Sequence, residues 1–133
     1  MNSDERSLYR DIEKNSGGRT VFRFEPGMPI GVPDIGTIVG NRSGIPRFGH
    51  SWVWIEAKWE SPIVRPEQAI MLRKLWAGGS GAFIFARWKK DFYLVPGGSV
   101  SLEARILYEE HLARWEGEVH WEQFWDLVSR ANY

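Results

Sequence analysis

Apolar positions along this chain change period several times, and each change marks an element. Leu8, Tyr9 and Ile12 fall at helical spacing between Asp4 and Lys14, and Asn15-Ser16-Gly17-Gly18 stops the run, which predicts a helix. Thr20 to Phe24 is β-branched and aromatic and reads as a short strand. After the Glu25-Pro26-Gly27-Met28-Pro29 loop, Asp34 to Val39 reads as a second strand. Ser51 to Trp59 is the strongest strand of the chain. If those two strands pair as a hairpin, the Gly40 to His50 connection exceeds the usual span of about two to five residues, and long loops often carry function. Pro66 suits a first helical turn. Ala69, Leu72, Leu75 and Trp76 then form an apolar stripe, so a helix is expected over Glu67 to Trp76 and ends at Gly78-Gly79-Ser80-Gly81. Ala82 to Trp88 and Asp91 to Val95 read as strands, with Lys89 and Lys90 at the turn between them. Helices are expected around Leu102 to Trp115 and over Trp121 to Arg130. The resulting order, α-β-β-β-α-β-β-α-α, predicts an α/β three-layer sandwich with a mixed central sheet.

Composition adds mostly exclusions. The 133 residues fit one domain, a core over about 4–95 followed by a helical extension over 101–133. No apolar run approaches the roughly 20 residues of a membrane span. The polar, acidic start lacks the apolar stretch of a secretory signal. With no cysteine, disulfide frameworks, cysteine zinc sites and thiol nucleophiles are excluded. A cytoplasmic protein of a bacterial or phage-infected cell is the expectation.

Seventeen basic residues balance seventeen acidic ones, which argues against a passive polyanion binder. The charges are uneven along the chain, however. Arg65, Arg73, Lys74, Arg87, Lys89 and Lys90 face only Glu67 between positions 65 and 90, whereas three basic residues meet seven acids from 101 to 133. One phosphate-facing surface on a neutral protein would fit this pattern, as would ordinary surface scatter.

The chemistry concentrates in Gly31-Val32-Pro33-Asp34 and Ile55-Glu56-Ala57-Lys58. Residues two apart on a strand share a face about 6.6–6.8 Å apart, so Glu56 and Lys58 point the same way, with Trp54 and Trp52 further along. Val53, Ile55, Ala57 and Trp59 point the other way. If the two strands are neighbours, Asp34 lies beside Glu56. Paired carboxylates repel unless a proton or a cation joins them, and all-oxygen ligation suits a hard ion such as Mg²⁺ or Mn²⁺. Such an ion polarises a phosphoryl oxygen and acidifies a water; Lys58 could position that water or meet developing phosphorane charge. Asp34, Glu56 and Lys58 therefore suffice for metal-assisted phosphodiester hydrolysis. A strand-end ion pair between Lys58 and one carboxylate is the structural alternative.

These segments, with Arg65-Pro66-Glu67-Gln68 after them, resemble the PD-(D/E)xK nuclease superfamily. Small VRR-NUC domains and archaeal-type Holliday-junction resolvases, which also occur in phages, are the groups it looks most like. The resemblance runs from the first helix to about Ala86 and departs after Val95. It implies Asp34 and Glu56 as metal ligands, the carbonyl of Ala57 as a possible third, and Lys58 as the catalytic lysine. Gln68 matches a glutamine near the active site or DNA, or else caps its helix. An acid on the first helix is implied too; Glu5 fits best, with Glu13 about two turns on as competitor.

The activity implied is a Mg²⁺-dependent DNA endonuclease, most specifically a Holliday-junction resolvase. A general nicking or trimming nuclease and an inactive DNA-binding or assembly module are the alternatives. One compact domain with a radius of roughly 14 Å cannot cut two equivalent strands of a junction symmetrically, so a two-fold homodimer is expected, joined through apolar surface of the later half. Arg42 and Arg47 in the long loop, with Arg65, Arg73 and Lys74, are the candidate DNA contacts. Trp59 and Trp88 adjoin strand ends and basic residues, so they are candidates for stacking on a splayed base. His50, His111 and His120 lack zinc-ligand spacing. No P-loop or serine-hydrolase elbow is present.

Overall fold

A computed structural model of the chain describes residues 3–24, 31–40 and 50–130. The elements are α1 (Ser3–Lys14), β1 (Val21–Arg23), β2 (Ile35–Gly40), β3 (His50–Trp59), α2 (Pro66–Ala77), β4 (Gly81–Trp88), β5 (Asp91–Pro96), a 3₁₀ turn (Tyr108–Glu110), β6 (Ala113–Glu116) and α3 (Trp121–Arg130). Six strands form one sheet in the order β1-β2-β3-β4-β5-β6. Every pairing is antiparallel except β3 with β4. Parallel neighbours require a crossover, and α2 supplies it.

Alternation along the strands sorts side chains into two layers. Leu8 and Ile12 of α1 and Phe124, Trp125 and Val128 of α3 pack on one face against Ile35, Val53, Ile55, Ala57, Phe83 and Phe85. Ala69 and Leu72 of α2 cover the other face over Ala82, Ile84, Ala86 and Val95, joined by Val100, Ile106 and Tyr108. β4 is therefore apolar on both sides from Ala82 to Ala86. Each fully buried large apolar side chain contributes roughly 1.5–3 kcal/mol, so this strand anchors both layers. The mixed sheet between helical layers matches the three-layer expectation.

The tail departs from it. Leu102 to Trp115 is not a helix. Val100 pairs with Ile106 and Ile63 with Arg105 as isolated bridges. Ala104 turns the chain at φ 62°, and residues 113–116 add β6 to the sheet beside β5. Burial there has period two: Ala104, Ile106 and Tyr108 are buried around exposed Arg105, then Ala113 and Trp115 around exposed Arg114. Leu102, where the expected helix was to begin, is 86% exposed. The final helix forms as expected, over Trp121–Arg130.

Candidate active site

Asp34 sits one residue before β2. The β2–β3 register pairs Ile35 with Ile55, so the next row sets Asp34 opposite Glu56, and opposed residues share a face. Gly31 shapes the approach. Its φ is +92°, and a Cβ there would stand 2.5 Å from the carbonyl oxygen of Glu67. Only glycine allows this segment to lie so closely on the first turn of α2. That same turn carries Gln68, so one contact brings Asp34 and Gln68 to the same carboxylate. A glycine directly ahead of Val32-Pro33-Asp34 was the sequence signal for this contact.

Glu56 is 1% exposed. Burial pushes its carboxyl well above the usual carboxylate range, and the neighbouring Asp34 charge and hydrogen bond push it further; Lys58 opposes the rise, and Glu5 adds to it. Gln68 donates from Nε2 to Glu56 Oε2 at 3.1 Å, and its own Oε1 accepts the Arg65 backbone N–H at 2.9 Å. Gln68 thus caps its helix and holds the Glu56 carboxylate at the same time. The other carboxylate oxygen, Glu56 Oε1, is buried with no donor. With both acids ionised, a proton or a cation between them is what would satisfy it.

The residues fit a hard divalent ion in donor chemistry: Asp34 and Glu56 offer oxygens, and Ala57 adds a backbone carbonyl next to Glu56 while its methyl is buried on the opposite face. Among the described residues no three His, Cys, Asp or Glu side chains already surround one point, so water would complete any coordination shell. Bound there, Mg²⁺ or Mn²⁺ would supply positive charge for a phosphoryl oxygen and for a water. Lys58 shares the face and closes no ion pair among the described residues. The strand-end ion pair is therefore not formed, and Lys58 keeps its ammonium available. Of the two helix acids, Glu5 is felt by Glu56, while Glu13 accepts the Tyr9 hydroxyl at 3.0 Å.

The other candidate contacts divide. Arg42 and Arg47 lie outside the described residues. Arg65 and Lys74 are exposed at the two ends of α2. Arg73 instead donates to the carbonyl of Ser101 at 2.8 Å, tying α2 to the tail. The basic stretch is not one surface. Arg87 lies over the Trp59 ring at 4.8 Å, on the side of the sheet away from α2, and Lys89 and Lys90 occupy the β4–β5 turn. Nor are the two singled-out tryptophans open platforms. Trp59 is covered by Arg87, and Trp88 stacks on Tyr108 with ring centroids 5.0 Å apart. His111 Nδ1 lies 2.8 Å from the Tyr108 carbonyl, and His120 accepts the Gln123 backbone N–H at 3.1 Å, both ordinary structural contacts.

Carboxylates and a lysine at the rim of a mixed sheet, with a helix acid and a helix glutamine beside them, place the chain in an α/β class of fold shared with a known enzyme. No family model and no curated protein matches the sequence. Among solved structures the chain is similar to Archaeoglobus fulgidus Hjc, a Holliday junction resolvase from an archaeal hyperthermophile, with a TM-score of 0.51 and 18% identity over 84% of this chain and 92% of that one. At this identity the likeness establishes the shared fold.

Proposed function

We propose that this chain is a divalent-metal-dependent endonuclease of the PD-(D/E)xK type, close in kind to VRR-NUC domains and archaeal resolvases, that hydrolyses phosphodiester bonds in DNA. The observation that carries this reading is Glu56: a carboxylate 1% exposed, beside Asp34, with one oxygen held by Gln68 and the other left without a donor. Burying such a group ionised and unsatisfied is costly, and a divalent cation between Glu56 and Asp34 would remove that cost. Asp34 and Glu56 hold Mg²⁺ or Mn²⁺, Lys58 meets charge developing on the phosphate, Glu5 orients water or metal from α1, and Gln68 fixes the Glu56 carboxylate.

Four-way junctions are the favoured substrate, by the shared fold with a resolvase, and a homodimer would present two such sites to the two strands. The test incubates the protein with a four-way junction and with plain duplex, with and without Mg²⁺. Metal-dependent cutting of the junction in preference to duplex is expected, and Asp34→Asn should bind the junction without cutting it. Equal cutting of duplex removes the junction preference and leaves a general nicking nuclease. Absence of metal-dependent cutting of any nucleic acid overturns the assignment.

A further inference from the structure

Beyond the acid pair, on the same face, lies a group of rings with no role yet. Phe22 of β1 stands opposite Gly36 of β2, which stands opposite Trp54 of β3. Phe24 follows on β1 and takes the Asp34 carbonyl at 2.8 Å through its backbone N–H. Ring centroids are 5.5 Å apart for Phe22 and Trp52, 5.5 Å for Phe24 and Trp54, and 5.4 Å for Trp52 and Trp54. Gly36 makes the arrangement possible, because a Cβ there would run into the Trp52 ring. The row therefore continues the row of Asp34 and Glu56: Trp54 is two residues from Glu56, about 6.8 Å along the strand, or about two duplex base steps of 3.4 Å.

These rings differ from the aromatic core behind the sheet. There, Phe83, Phe85 and Phe124 are wholly buried under α1 and α3. Here Phe22 is 41% exposed and Phe24, Trp52 and Trp54 are half-buried; Trp54 packs with one side on the core under α2, and α2 lies over β4 rather than over β1. Flat apolar faces beside a carboxylate pair that would hold a divalent cation, and through it a phosphate, suit one partner: a nucleobase that has left its stack. A base inside an intact duplex has no free face to offer.

We propose that Phe22, Phe24, Trp52 and Trp54 form a stacking platform for an unpaired nucleobase next to the phosphate that a divalent cation at Asp34 and Glu56 would hold. The substrate class is then nucleic acid with at least one unpaired nucleotide at the cut, as at a flap, a bulge or a junction whose crossover pair has opened. This rests on the nuclease reading, and it names the feature by which that site selects its substrate.

The experiment measures binding in the Asp34→Asn protein, where no cutting intervenes. A 2-aminopurine nucleotide serves as probe, unpaired in one DNA duplex and paired in a second of otherwise equal sequence. Stacking on the protein should change the fluorescence of the unpaired probe and leave the paired one unchanged. Phe22→Ala should weaken binding of the unpaired substrate by about tenfold. Phe22→Leu, which keeps the apolar bulk without the ring, should also lose most of that signal. Leu112→Ala is the matched control, equally exposed at 41% and next to the opposite edge of the sheet, and should change nothing. If both Phe22 variants bind the unpaired probe as the parent does, or if paired and unpaired probes respond alike, the platform is disproved. The nuclease reading fails separately: a parent that never cuts yet shows the stacking signal loses its activity and keeps its platform.

Discussion

β3 and β4 run parallel in the middle of the sheet, with Ile55 beside Phe83, Glu56 beside Ile84, Ala57 beside Phe85 and Lys58 beside Ala86. Toward α1 and α3 the two strands are equivalent, apolar and wholly buried. Toward α2 they part. β4 presents Ala82, Ile84 and Ala86 to the core under α2, while β3 presents Trp52, Trp54, Glu56 and Lys58. Two adjacent central strands thus teach where this fold spends stability. β4 uses both faces for packing, whereas β3 packs one face fully and on the other sets Glu56 and Lys58 beside Trp54, which packs on the core under α2.

The largest expected effects should therefore have opposite signs at paired positions. Ile84→Ala empties a wholly buried site and should cost about 2–5 kcal/mol, a fall in Tm of roughly 10 °C or more, followed by circular dichroism. Glu56→Gln should do the reverse in the metal-free protein. The Glu56 carboxyl is raised well above 4.5 by burial first and then by Asp34. A carboxyl raised in the folded state contributes stability below its unfolded value and loses it as pH climbs through the folded one. In chelator, the parent should therefore lose stability as pH rises from 4.5 toward and past the raised value, and Glu56→Gln should flatten that slope. Mg²⁺ should raise the Tm of the parent near pH 8 by a few degrees and leave that of the variant unmoved, while the variant's cutting falls by roughly a hundredfold or more. A Glu56→Gln protein that melts below the parent at pH 8 in chelator would mean that Glu56 is a structural group.

The same pair of strands explains what the sequence made legible. Period-two alternation assigns faces without coordinates, so Glu56 and Lys58 could be set together and Asp34 brought to them by strand pairing. Gln68 was readable as cap or as site residue, and the structure gives it both bonds. The tail misled because Leu102, Ile106 and Trp115 can be fitted to a helix, whereas the governing contacts are non-local: Ile63 with Arg105, Val100 with Ile106, and β6 with β5. The basic stretch misled for a related reason. Closeness along the chain says nothing of which layer a residue joins, and Arg73 and Arg87 lie on opposite sides of the sheet.

A smaller effect is expected where α2 meets β3. Gln68→Ala removes the donor to Glu56 Oε2 and the acceptor of the Arg65 N–H together. Leaving such groups unpaired should cost about 1–3 kcal/mol. Because the carboxylate would also lose its orientation, the Mg²⁺ concentration for half-maximal cutting should rise by roughly ten-fold or more, as for other groups that orient a ligand. A lowered Tm with an unchanged Mg²⁺ midpoint would leave Gln68 as a helix cap alone.

The smallest effect tests the strand ends. Both strands finish on residues held in the left-handed region: Glu60 at φ 50° after β3, and Lys89 and Lys90 at φ 51° and 73° after β4. A side chain in that region costs roughly 1–2 kcal/mol, and glycine escapes the cost while losing more entropy on folding. For Lys90, exposed and without an ion pair among the described residues, the balance should favour glycine, and Lys90→Gly should stabilise by less than about 1 kcal/mol. Glu60 differs because its Oε1 accepts the Lys89 backbone N–H at 2.9 Å, so Glu60→Gly relieves the backbone and breaks the bond that joins the two strand ends. Thermal melts of the two variants should separate, with Lys90→Gly above the parent and Glu60→Gly level with it or below. Equal gains would show that the Glu60 bond contributes nothing and that the two strand ends are alike.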